Sequence, residues 1–291
     1  MAALEASLRW PTDRFRRWTA RVSGNRSLII GLTLLALVGL LATIGRWVFP
    51  GDPWDMVGPA LAWPGEEPGF PLGTDLMGRD LATGIVAGAP VTLLIASLST
   101  AIAALVGVTI GSLGGYYGGW VDNALMRLTE LFQTFPSFVL AVVLVTVLKP
   151  SVATIILSIG VVSWPATARL VRSQVLSLRE REFVLAGRAM GMSDARIITT
   201  QILPNALPPA IAVASLTAAA AIQTEAALAF LGLGDPNVMT WGTIIGAGRE
   251  QLSDAWYICA LPGFAIMLTV LAFNLTGDGV NDALNPRLDE R

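Results

Sequence analysis

Apolar residues along this chain come in long uncharged runs separated by short polar joints. The first run, "SLIIGLTLLALVGLLATIG", is followed by Arg46-Trp47. About 20 apolar residues span a bilayer, so a transmembrane helix is predicted over 28–48. A secretory signal has a similar order of basic arm and apolar run, but its core is shorter and a small-residue cleavage site follows. Arg46-Trp47 reads instead as an interfacial anchor. Residues 49–80 are polar and turn-rich. No charge then occurs between Asp80 and Asp122. That gap holds a short interfacial helix and a second span, roughly 88–113, which "GGYYGG" ends. Further spans are predicted at roughly 124–148, 152–173, from Pro209 to Leu231, and 256–277.

Composition agrees with this pattern. The 291 residues are 54% hydrophobic and 14% charged, with mean hydropathy +0.64. Soluble domains average about 25% charged residues. The predicted class is an all-α integral membrane protein with six transmembrane helices. Its expected parts are a cytoplasmic arm (1–27), the first transmembrane helix (28–48), an extracytoplasmic loop (49–87), a core of five further helices (88–277) and a cytoplasmic tail (278–291). Six spans put both termini on one side. Basic residues mark the cytoplasmic side of short loops. They gather in the arm, in the fourth-to-fifth connection and in the tail, while only Arg46, Arg79, Lys149 and Arg249 fall on the opposite face. Both termini are therefore expected in the cytoplasm, with the acidic 49–80 loop outside.

The fourth-to-fifth connection, at about 179–207, is the polar exception in an apolar chain. "REFVLAGRAM" reads as one helix, and Gly191 is placed to end it with a left-handed cap. Ser193 or Asp194 suits the N-cap of a second short helix, "ARIITTQIL". Pro204 and Pro208-Pro209 are expected to turn the chain back into the bilayer. Val184, Leu185, Ala189, Ile197 and Ile198 are apolar positions that could dock on a partner. A basic cytoplasmic loop alone also fits simple retention under the charge rule.

The spacing goes further. The stretch resembles the EAA loop of ABC importer permeases: Glu-Ala-Ala, three residues, Gly, nine residues, Ile, one residue, Leu-Pro. Ala186 takes the middle Ala, Gly191 the Gly and Leu203-Pro204 the Leu-Pro. Leu185 stands in place of the Glu, Gly187 of the second Ala and Gln201 of the Ile. "PLGTDLMGRD", "GGYYGGWVDNALMRLTELFQTFPSF", "WPATARLVRSQVLSLREREFV", "EAALAFLGLG" and "NPRLDER" are similar to segments of one subgroup, the C-type permease subunits of dipeptide and oligopeptide importers. Nickel importers share much of the set. The resemblance implies a type I ABC importer permease fold in a bacterial inner membrane and transport of peptides, with nickel or another small solute as the alternative. It implies as partners a second homologous permease in a heterodimer, two ATP-binding subunits or a fused ATPase, and an extracytoplasmic substrate-binding protein. It implies no cofactor in this chain, with ATP and magnesium on the ATPase subunits, and no nucleic acid. It assigns ATPase coupling to Ala186, Gly191, Ser193, Asp194, Ala195, Arg196, Ile197, Leu203 and Pro204.

Other chemistries are poorly provided for. There is no histidine, one cysteine (Cys259) and one lysine. A P-loop needs Gly-Lys followed by Ser or Thr, and Lys149 is followed by Pro150. "GLGD" (232–235) matches a short intramembrane aspartyl-protease motif, but no span carries a second Asp at depth. A secondary transporter would place ionisable groups at the midplane, and only Glu225 lies well inside a predicted span. Glu225 is the gate or pathway candidate. It is expected in the outer half of the fifth span, facing a water-filled pathway. It would either meet the amino end of a peptide or bond to helix termini or a partner permease and hold an outer gate; the gate is favoured. The glycine runs are read as turns and close helix packing, and Trp54, Trp63, Trp241 and Trp256 as interfacial aromatics.

Overall fold

A computed structural model describes residues 25–284. Most of the N-terminal arm and the "NPRLDER" end of the tail lie outside the described residues. Among the described residues ten α-helices are formed: α1 (Arg26–Val48), α2 (Leu81–Tyr117), α3 (Gly119–Thr134), α4 (Ser137–Leu148), α5 (Val152–Leu178), α6 (Glu182–Ala189), α7 (Asp194–Ile197), α8 (Leu203–Phe230), α9 (Trp241–Gly248) and α10 (Tyr257–Leu284). Among the described residues the only β pairing is two isolated bridges, Met56 with Arg79 and Thr74 with Asp80. Five helical stretches are long and apolar enough to cross a membrane, and α3 with α4 forms a sixth as a pair bent by 83°. The class is all-α with up to six membrane helices, as expected.

Three expectations about the spans are corrected. The interfacial helix and second span are one helix, α2, of 37 residues, about 55 Å long at 1.5 Å per residue. Asp80 starts it by accepting from the amides of Ala82 and Thr83 at 3.1 Å each. Nothing interrupts it before Gly118, whose φ of 66° ends it. Pro90 removes one backbone bond and is absorbed. The third span, by contrast, is broken. Phe135 precedes Pro136, and the proline ring pushes it out of the helical region, to φ −92° and ψ 140°. The fifth span does not begin after Pro208-Pro209 either. It is continuous from Asp194 to Phe230, with a five-residue π turn at Ile198–Ile202. Pro204 lies in the first turn of α8, where a missing amide is best tolerated.

The helices meet most closely where side chains are absent. Gly107, Gly111 and Gly115 recur every fourth residue and share one face of α2. A Cβ at Gly107 would lie 2.6 Å from Thr167 Cβ, at Gly111 2.5 Å from the Ala168 carbonyl, and at Gly115 2.8 Å from Val175 Cβ. From α5, a Cβ at Gly160 would lie 2.8 Å from Ile102 Cβ. In lipid, such small-residue seams let backbones approach and gain dispersion contact. Arg172 of α5 then grips Asp122 of α3 through two parallel bonds, Nε to Oδ1 at 2.5 Å and Nη2 to Oδ2 at 2.6 Å. This fork fixes α3 to the same seam.

Outside the spans, "PLGTDLMGRD" folds the 49–80 loop onto α10. Thr74 is fully buried. Its hydroxyl donates to the Pro59 carbonyl at 2.5 Å and accepts from the Ala62 amide at 2.9 Å. The Tyr257 hydroxyl, on α10, is 2.9 Å from the Ala62 carbonyl and 3.1 Å from that of Thr74. Gly73 and Gly78 have φ of 79° and 74°, and a Cβ at either would collide with backbone of the 58–62 segment.

The seam is the fold's most demanding contact. Gly111→Val should lower the thermal midpoint of the detergent-purified protein, because overpacking costs roughly 1–3 kcal/mol. Gly39→Val makes the control, since Gly39 has nothing within 4 Å of its Cβ position. Equal midpoints for the two variants would contradict the seam.

Candidate functional site

The polar connection folds as a helical hairpin across the ends of α2 and α5. Helix α6 ends in a Schellman motif. The Met192 amide bonds the Gly187 carbonyl at 3.1 Å and the Gly191 amide that of Arg188 at 2.9 Å. Gly191 has φ of 75°, a conformation that costs a side-chain-bearing residue. Ser193 takes the N-cap position of α7 but makes no side-chain cap bond. Asp194 serves another purpose: its Oδ1 accepts from the Tyr116 hydroxyl of α2 at 2.7 Å. The Arg188 guanidinium lies over the Tyr116 ring at 4.9 Å. Both arms of the hairpin are thus tied to one tyrosine.

The apolar positions expected to face a partner divide. Val184, Ile197 and Ile198 are buried against Tyr116, Val171, Val175 and Ile202 of the same chain. They form the hairpin's own root. Leu185 and Ala189 are exposed, and so are Phe183 and Met190, the latter at 74%. Of the coupling candidates, Ala186, Gly191, Ser193, Asp194, Ala195, Arg196 and Pro204 are exposed, Leu203 is half-buried and Ile197 is buried.

Two departures from the EAA pattern meet in space. A Cβ at Gly187 would lie 2.9 Å from Gln201 Nε2 and 3.0 Å from its Oε1. Gln201 sits in the π turn. Its amide nitrogen is 3.3 Å from the Met192 sulfur, and its buried Oε1 has no partner. The larger polar side chain fills the space that the missing methyl at Gly187 leaves.

A second feature escaped sequence reasoning. The break between α3 and α4 opens a concave cleft of about 770 Å³ against α5 and α8. Phe132, Phe135, Pro165 and Leu216 line it, together with Gln133, Ser137, Ser163, Thr217 and Arg169. Arg169 Nη1 donates to Gln133 Oε1 at 3.0 Å. The one available signal was "FPS" inside a predicted span. At membrane depth, irregular backbone is tolerated only against protein or a water-filled cavity. Lipid is therefore a poor neighbour for this face, and water or another polypeptide a good one.

Glu225 is placed differently from expectation. It is 1% exposed and faces neither water nor a surface where a partner could sit. Its Oε1 accepts from the Thr240 hydroxyl at 2.7 Å, and Oε2 has no partner. Thr240 caps α9 in a reciprocal box with Thr243. The burial follows from close backbone packing: Gly242 is held 2.8 Å, at its Cβ position, from Ala226 Cα. Trp241, expected at the interface, is fully buried and donates through Nε1 to the Ile85 carbonyl at 2.8 Å. Asp235 of "GLGD" is a helix cap, its Oδ2 accepting from the Val152 amide of α5 at 3.0 Å.

Glycine-seamed spans, one broken helix and a hairpin at their ends make this an all-α membrane fold. Residues 107–290 match the family described as binding-protein-dependent transport system inner membrane component, and the chain belongs to that family. It is similar to the di/tripeptide transport system permease protein DppC of Pseudomonas aeruginosa, at 36% identity over 98% of this chain and 96% of that one. It is 39% identical to the dipeptide permease DppC of Alkalihalophilus pseudofirmus, covering 91% and 87% of the two chains. The glutathione permease GsiD of Pectobacterium atrosepticum is 33% identical over 98% and 94%. In fold it resembles inward-facing structures of the MetNI methionine ABC transporter, with TM-score 0.56 and 20% identity over 69% of this chain and 96% of that chain.

The Gly187–Gln201 contact has a measurable signature. Replacing a helical Gly with Ala gains about 1 kcal/mol of propensity. Gly187→Ala should therefore stabilise more in a Gln201→Ala background than in the native one, with a coupling of roughly 0.5 kcal/mol or more in thermal unfolding. Identical gains in both backgrounds would show that the two residues do not interact.

Proposed function

We propose that this chain is a transmembrane permease subunit of an ATP-driven importer of peptides, with its hairpin as the coupling element. The hairpin's double tie to Tyr116 carries the reading. Exposed Phe183, Leu185, Ala186 and Met190 offer an apolar face to an ATP-binding subunit, while buried Val184 and Ile197 root the same hairpin on α2 and α5. A push on the outer face must then move the seam. Arg172–Asp122 passes that motion to α3, and hence to the wall of the cleft. The cleft is this chain's share of the pathway, completed by a second homologous permease. Two ATP-binding subunits sit below, and an extracytoplasmic binding protein delivers the peptide from above. ATP and magnesium belong to the ATPase subunits. The relatives' cargoes, dipeptides, tripeptides and glutathione, all carry a peptide-like backbone.

Orientation follows the basic residues: both termini and the hairpin in the cytoplasm, the 49–80 loop outside the bacterial inner membrane. In a Cys259→Ala background, Glu66→Cys should react with an impermeant maleimide in intact cells and Ser193→Cys should not. Both positions are exposed, so the reverse pattern would contradict the orientation and the coupling role together.

Coupling is tested at the tyrosine. Tyr116→Phe keeps the ring beneath Arg188 and removes the bond to Asp194, about 1 kcal/mol for a partly exposed contact. Tyr116→Phe and Asp194→Ala should each assemble normally yet lose substrate-stimulated ATP turnover. The double variant should be no worse than either single one, because one bond is shared. Full stimulation in both would refute the anchor.

Glu225 is proposed as the outer gate's latch. Its bond to Thr240 holds the capped end of α9 against α8, close to α2. Glu225→Gln preserves the shape and the acceptor for Thr240 but replaces one carboxyl oxygen with an amide nitrogen. It should assemble, show raised basal ATP turnover and couple poorly. Wild-type values for all three would end the latch assignment.

A further inference from the structure

Resting on the reading of this chain as a peptide permease, we propose that Arg169, steadied by Gln133, receives the C-terminal carboxylate of the peptide as it passes the cleft. Among the described residues Arg169 is the only charged side chain lining that cleft, and no acid lines it. The arginines that follow it, on the helix and at its C-cap, are engaged. Arg172 is forked onto Asp122, and Arg179 holds Glu180 and the Gly115 carbonyl. Among the described residues Arg169 makes one bond, to a neutral amide oxygen, and forms no salt bridge. A guanidinium carries five N–H donors, so most of its capacity points into open space.

Position gives those donors a use. Arg169 lies 17 residues along α5 from Val152, about 25 Å at 1.5 Å per residue. That is about two-thirds of the way along a 27-residue helix, on the hairpin side of the bend. A charge at this depth is costly against lipid and acceptable beside a wet cleft. The adjoining backbone break at Phe135-Pro136 likewise disfavours lipid and admits water or protein. The walls are largely apolar, from Phe132, Phe135, Val162 and Leu216, with hydroxyls from Ser137 and Thr217. Every unblocked peptide carries a terminal carboxylate, whatever its side chains. A planar guanidinium binds carboxylates through paired bonds, and apolar walls tolerate varied side chains. The arrangement reads the terminus and ignores the sequence. Solvent in the cleft keeps the contact weak enough for release.

The test uses the complete transporter in proteoliposomes with its binding protein. A dipeptide and its C-terminal amide are chosen so that the wild-type complex imports both. The binding protein is the same throughout, so its preference cancels when acid and amide are compared between variants. Arg169→Gln should cut import of the free acid about tenfold, the loss of one charge-assisted contact. Amide import should stay within about twofold, and Arg169→Lys should recover much of the acid import, since the positive charge is kept. An equal fall for acid and amide would mark Arg169 as structural and overturn the proposal, as would unchanged import of both. Absence of ATP-dependent peptide uptake in the wild-type complex would instead overturn the permease reading itself.

Discussion

The close approach of α2 and α5 is the constraint on which the hairpin-bearing half of the protein depends. Three glycines at four-residue spacing on α2 and one on α5 remove the side chains that would hold the backbones apart. Lipid supplies no hydrophobic drive between helices, so packing at such a seam must come from dispersion and from polar links. Both are present. Val171 and Val175 continue the seam into the hairpin's root, and Asp122–Arg172 closes it on the α3 side. If the seam were looser, neither Tyr116 nor Arg172 would be where its partner needs it.

From this base the polar elements form one connected path. Asp194 and Arg188 meet at Tyr116, the hairpin's root meets α5, Arg172 meets α3, and α3 carries the broken wall of the cleft. Each joint is a charged group or a buried apolar contact of fixed geometry, which is what a lever requires. The replacements in the EAA pattern fit the same logic. Gly187 and Gln201 trade volume across the hairpin, so the root stays filled although both residue types differ from the usual ones. At the far end of α8, Glu225 and Thr240 hold α9 in place by an independent polar contact.

Much of the fold was legible because lipid leaves few choices. A backbone in a bilayer must bond to itself, so uncharged runs become helices whatever their detail. The hairpin was legible because Gly191 marks a left-handed cap and the Leu203-Pro204 spacing is specific. Prolines were not legible. Pro136 breaks its span, while Pro90, Pro165 and Pro262 lie inside intact helices; the difference lies in the extended Phe135 and its tertiary setting. The hairpin's inner and outer faces were not separable from its sequence either, because both are apolar. Glu225 and Trp241 were misplaced for a related reason. Their burial depends on Gly88 and Gly242, which let α9 sink against α2 and α8, and no local pattern in the 231–256 loop announces that approach.

Rigid transmission from hairpin to seam can be measured directly. Spin labels at Met190, on the hairpin, and Trp120, at the α2–α3 corner four residues beyond Tyr116, occupy exposed positions. In the proposed assembly their distance should stay the same between the nucleotide-free and ATP-trapped states, while the distance from Met190 to the equivalent hairpin of the proposed second permease changes. A Met190–Trp120 distance that shifts by several ångströms while the hairpin-to-hairpin distance stays fixed would show that the hairpin moves apart from the seam, and would contradict its proposed role as the lever.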